Sequence, residues 1–174
     1  VGQGRRNAWR DNTQLVLKRM QERKVLSDHG ELRFLWRPDE GRVLESYLPD
    51  FYGTAREELA ARYGHTPGRT QIEVFRDWTD FSVRSTGFEG FPALGVCFGP
   101  VVTAVSPVSE LRGTFSWSRT SFHEFTHVIT LNATANKMPR WLSEGISVYE
   151  ERQRNTAWGE RLNPAYRQLI ADGK

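Results

Sequence analysis

"SFHEFTHVIT" at residues 121–130 and "MPRWLSEGISVYEE" at residues 138–151 decide how this chain is read. Side chains four apart on a helix share one face, about one turn from each other. The spacing of His123 and His127 therefore brings two imidazoles toward one point. Zinc held by histidine needs nitrogens at about 2.0–2.1 Å, which this spacing allows. Glu124, beside the first histidine, is placed to take a proton from a water at such a centre as general base. Phe122, Phe125, Val128 and Ile129 occupy the other faces and are expected in the core. A second account of the same residues needs no metal. Ser121 as N-cap and Glu124 three positions on would form a capping box, with the histidines lining a surface.

A catalytic zinc also needs a third protein ligand and an open fourth position. Glu144 is the candidate. Pro139 suits the first turn of a helix, and Trp141, Leu142, Ile146 and Tyr149 are expected to form its apolar face. Sixteen residues (128–143) lie between His127 and Glu144, enough to finish one helix, turn, and lay a second alongside. Gly145 inside that helix costs about 1 kcal/mol relative to alanine, and the expected compensation is a close approach of the two helices. His29 and His65 fall in apparent loops and are expected at the surface.

The rest of the chain predicts an α+β fold, a small mixed β-sheet with helices ahead of the motif helix and its partner. Residues 8–26 have loose helical spacing, and residues 1–28 are expected to be a helical segment ahead of a domain over 29–174. "ELRFLWR" (31–37) and "TQIEVFR" (70–76) alternate as strands do. Residues 42–63 predict a helix interrupted near Pro49 and Gly53. Residues 81–95 carry glycines and a proline and predict a loop. Two short strands follow at 96–99 and 101–107, broken by Gly99 and Pro100.

Hydrophobic content of 38% and charged content of 26% are those of an ordinary globular chain. No apolar run approaches the roughly 20 residues that span a bilayer. The charge count, 24 basic against 21 acidic, argues against nucleic acid as a partner. The single Cys97 excludes an internal disulfide and a cysteine zinc cluster. Starting at Val1 without Met or an apolar leader, and stopping at Lys174, the chain is expected to be a piece of a longer protein.

"HEFTH" followed by "WLSEG" resembles the gluzincin metallopeptidases, relatives of thermolysin and aminopeptidase N, and is most similar to the peptidase MA-like domains of bacterial proteins that carry tetratricopeptide repeats. Trp141, Leu142, Glu144 and Gly145 match a W-L-x-E-G pattern there, and the likeness runs over roughly residues 30–172, strongest over 81–151. The resemblance implies Zn2+ held by His123, His127 and Glu144, with Glu124 activating water to hydrolyse a peptide or protein substrate. Flanking tetratricopeptide repeats and a bacterial cell-envelope or periplasmic setting are the corresponding expectations. It also implies an edge strand that pairs with the substrate backbone. Val102, Thr103, Ala104 and Val105 in "VVTAVSP" are the expected segment, although on their own they read as a buried strand.

Relatives stabilise the oxyanion with a tyrosine or histidine downstream of the third ligand. Tyr166 is the candidate by position. Tyr149, about 140° around the helix from Glu144, is expected to face away from the metal and pack in the core. The acid that some gluzincins place four residues past the third ligand is Val148 here. Ser147 lies within about 60° of Glu144 and can reach the site or simply pack. Glu150 and Glu151 are expected on a solvated face with Arg152 and Arg154. Cys97 as a thiolate would be an inhibitory ligand, but as a lone cysteine it is expected to be a buried small hydrophobe. Two other functions compete with hydrolysis: a non-catalytic, zinc-stabilised scaffold domain and a basic nucleic-acid module. Endo- or exopeptidase action is left open.

Overall fold

Leu32, Phe34 and Trp36 are buried while Arg33 and Leu35 between them are partly exposed, and this period of two builds a strand with one face in the core. The computed structural model describes residues 8–19, 24–158 and 163–173. In chain order the elements are α1 Ala8–Arg19, β1 Val25–His29, β2 Leu32–Trp36, α2 Pro38–Leu44, α3 Leu48–Tyr63, β3 Thr70–Phe75, α4 Trp78–Thr86, β4 Gly95–Phe98, β5 Val101–Val105, α5 Trp117–Ala133, α6 Arg140–Arg154, a 3₁₀ turn Thr156–Trp158 and α7 Asn163–Ala171. The fold is α+β, with a mixed sheet in the order β1-β2-β3-β5-β4. β2, β3 and β5 run parallel, and β1 and β4 are antiparallel edges.

Helices cover both faces of the sheet. Phe34, Ile72 and Val102 meet Tyr52 and Leu59 of α3 and Phe122, Phe125 and Ile129 of α5 in the main core. Phe75 and Val105 point the other way, onto Phe81 of α4. The parallel strands β3 and β5 are therefore buried almost throughout, as parallel strands between helices are. Truncating one of these core aromatics to alanine costs about 3–5 kcal/mol.

Four expectations change. Residues 81–86, within the stretch 81–95 expected as loop, belong to α4, capped at its start by Asp77, which accepts from Asp80 N–H, and stopped by Gly87 at φ 81°. The helix expected over 8–26 ends its described part at Arg19, and Val25 and Leu26 belong to β1. The boundary expected at 28/29 thus falls inside a strand that pairs residue for residue with β2. Over 42–63 the break comes at residues 45–47; Pro49 sits in the first turn of α3, where its missing N–H costs nothing. No helix among the described residues is long and apolar enough to cross a membrane.

α6 reverses the usual pattern. Its buried residues are Ser143, Ser147, Glu150 and Glu151, spaced as one helical face, while Trp141 and Tyr149 are 76% and 56% exposed. Neither the expected apolar face nor the core role of Tyr149 is found. Glu150, expected in solvent, is fully buried and accepts from Tyr63 Oη–H at 2.6 Å and from the Arg62 guanidinium, so that α3 grips α6. A hydrogen bond to a buried charge is worth about 1.5–3 kcal/mol. Tyr63→Phe is expected to lower the free energy of unfolding by about 2 kcal/mol in urea denaturation; a change within about 0.3 kcal/mol would remove this anchor from the account.

Candidate metal centre

α5 begins earlier than a cap at Ser121 would require. Ser116 is its N-cap, accepting from Arg119 N–H at 3.3 Å, and Ser121 is buried in the second turn. The capping-box account of Glu124 is thereby overturned, and its carboxylate is free of any helix terminus. Between α5 and α6 the chain reverses through Ala135 and Asn136 at φ 49° and 59°, with Asn136 N–H closing onto Leu131 C=O at 2.8 Å. That turn lays α6 against α5.

The two helices bring His123, His127 and Glu144 together. Nε2 of His123 is 3.2 Å from Nε2 of His127 and 3.2 Å from Oε2 of Glu144, and His127 Nε2 is 3.5 Å from the same oxygen. The far side of each ring is tied down by α6. His123 Nδ1–H donates to Glu151 Oε1 at 2.6 Å, and Arg119 Nε–H donates to the other oxygen of Glu151, also at 2.6 Å. His127 Nδ1 lies 2.8 Å from Ser143 Oγ and 3.3 Å from Ser147 Oγ. With its Nδ1 proton on Glu151, a neutral His123 turns a lone pair toward Glu144. Acceptors converging at such separations repel one another unless a proton on one ring or a cation lies among them. The donor set therefore fits a metal ion, with Glu144 46% exposed on the open side.

Protonation follows the same geometry. Burial drives the His127 imidazole below its ordinary value, and neighbouring His123 adds to this. Burial acts the same way on His123, but Glu151, Glu124 and Glu144 outweigh it and raise it. Burial pushes the Glu124 carboxyl up to about 7, with Glu144 adding to the rise while His123 and the nearby Cys97 N–H oppose it. Burial pushes the Cys97 thiol up to about 12; the side chain, expected to be buried, is partly buried and packs against the core.

β4 passes over the site. Val105 N–H donates to Leu94 C=O at 2.9 Å, and the alternation of an antiparallel ladder then turns the N–H and C=O of Gly95 and Cys97 away from β5, toward the outer edge. The Glu124 carboxylate lies beside the Cys97 N–H there. Val102, Thr103, Ala104 and Val105, expected as the substrate-pairing segment, are buried in β5 with β3 and β4 on either side, so no edge is left for another chain. The edge strand is β4. Two hollows of about 390 and 400 Å³ flank it, and both are lined by Ala93, Gly95, His123 and Glu124.

The remaining candidates lie elsewhere. Tyr166 is exposed on α7 and lines neither hollow. His29 pairs with Glu45 and His65 with Asn132, both outside the site. Gly145 is exposed with open space around it, so it does not bring the helices together. The glycine of close approach is Gly95. A Cβ there would meet Glu124 Cγ at 2.6 Å and Thr120 Cγ2 at 3.0 Å. Glu151 was missed as a site residue. Its signal was the stripe 143, 147, 150, 151 in register with the histidines.

Gly95→Ala is expected to destabilise the fold by about 1–3 kcal/mol through overpacking. In a double-mutant cycle with Glu124→Ala at least about 1 kcal/mol of that loss should be recovered; additive effects would mean that the two residues do not crowd each other. Compared with family models, curated proteins and solved structures, the chain matches none.

Proposed function

We propose that this chain is a zinc-dependent peptidase of the gluzincin type. The observation that carries the proposal is the meeting of His123 Nε2, His127 Nε2 and a Glu144 oxygen beside hollows that Glu124 also lines. Zinc bound by these three residues would supply a Lewis acid that polarises a carbonyl oxygen and lowers the pKa of water toward 7.

The chain's own groups do the rest. Glu151 and Ser143 hold the rings from behind, so that both Nε2 atoms keep their aim. The Glu124 carboxylate accepts a proton from the attacking water and returns it to the leaving nitrogen. The outward N–H and C=O of Gly95 on β4 offer an extended peptide a backbone to pair with, the role first expected of β5.

Elemental analysis of the purified protein should find close to one zinc per chain, and Glu144→Ala should lose most of it. Glu124→Gln should keep the metal and lower peptide hydrolysis about 10²–10⁴-fold. Protein that takes up no zinc when zinc is supplied would refute the proposal. Zinc retained with no hydrolysis, and every measured property indifferent to Glu124→Gln, would point to a scaffold domain instead. Glu151→Ala should weaken zinc binding about 10–100-fold in competition with a chelator; unchanged affinity would leave Glu151 a purely structural residue.

A further inference from the structure

The two hollows lie on opposite sides of the reacting groups. One is lined by Phe115, Ser116, Arg119 and Thr120, toward the start of α5. The other is lined by Leu131, Met138 and Arg140, past His127 toward the helix's end. At about 1.5 Å per residue, the helix from Ser116 to Leu131 covers roughly 22 Å. An extended chain rises about 3.3 Å per residue, so roughly six to seven residues fit along that length. His123 stands about 10 Å from one end and 12 Å from the other by the same helical rise. About three residues can therefore lie on each side of the bond under attack.

An exopeptidase needs one side closed by a fixed charge that holds the chain terminus. On the Ser116 side the carboxylate that could hold an α-amino group is Glu151, which is buried and shared between His123 and Arg119. On the Leu131 side the cation is Arg140, 92% exposed and 3.7 Å from Glu144. A guanidinium so fully hydrated is a weak anchor for a carboxylate. Among the described residues, no buried side-chain nitrogen or oxygen without a partner belongs to either lining.

From these observations we infer that the groove takes an extended stretch from the interior of a polypeptide, and that the protein is an endopeptidase. This rests on the peptidase reading above. Gly95, common to both hollows, is the point where the stretch pairs with β4, and the chain runs on past Glu124 in both directions.

The test uses zinc-loaded protein with a mixed set of decapeptides, each with free ends or with an acetylated N-terminus and amidated C-terminus, and identifies products by mass spectrometry. Blocked peptides should be cut at internal bonds, about three residues or more from either end, at rates within about threefold of the free-ended ones. Shortening the blocked peptides to four residues should lower kcat/KM tenfold or more. Fluorescence anisotropy should detect a labelled, end-blocked decapeptide binding to Glu124→Gln protein. Release of single residues from free ends, with blocked peptides untouched, overturns the inference and leaves the peptidase standing. If that release needs a free carboxylate and is lost in Arg140→Gln, Arg140 is the terminal anchor. Binding of blocked peptides without hydrolysis of any peptide overturns both the inference and the peptidase reading.

Discussion

The site depends on the hydrogen bonds that leave the Nδ1 atoms of His123 and His127 for α6. Without them two imidazoles one turn apart would rotate independently, and their lone pairs would turn away from each other and from Glu144. Glu151 sets the orientation of His123, and Arg119 keeps Glu151 in place. Ser143 and Ser147 do the same for His127 without adding charge. Burying a carboxylate is costly unless it is paired and hydrogen-bonded. Glu151 meets both conditions, and it meets them only when α5 and α6 are docked.

This explains why α6 turns a polar face inward. A helix normally buries its apolar stripe, because removing that stripe from water drives docking. Here the buried stripe is serine and glutamate, and each member finds a partner on α3 or α5. The main core beneath, where Phe34, Tyr52, Phe122 and Phe125 come together, supplies the hydrophobic stabilisation that α6 does not. The helix is free to carry chemistry because the sheet and the other helices carry the stability.

Sheet order decides which strand keeps an open edge beside the site. β5 looks apolar enough to be important and is, but as an interior strand closed on both sides. β4 is short, contains Gly95, and lies against α5 where a side chain larger than hydrogen would strike Glu124. The same glycine brings Glu124 close to the strand.

Locally encoded features were legible in the sequence. The H-E-x-x-H spacing, the strands at 31–37 and 70–76 and the place of Glu144 on a second helix follow from periods of 3.6 and 2, which the chain carries without reference to its neighbours. α4 was legible too, in Asp77 before Trp78 and Gly87 after Thr86, but the glycines and proline further on dominated the window. What the sequence could not state was which strand is an edge, which glycine has a neighbour, and which face of α6 is buried. Those depend on partners far along the chain: Tyr63 for Glu150, His123 for Glu151, Glu124 for Gly95. Sequence alone determined the types of the candidate ligands and their spacing, because a helix turns every chain the same way. Only the tertiary structure decided that those side chains converge, because that alignment exists only where two docked helices share their buried polar groups.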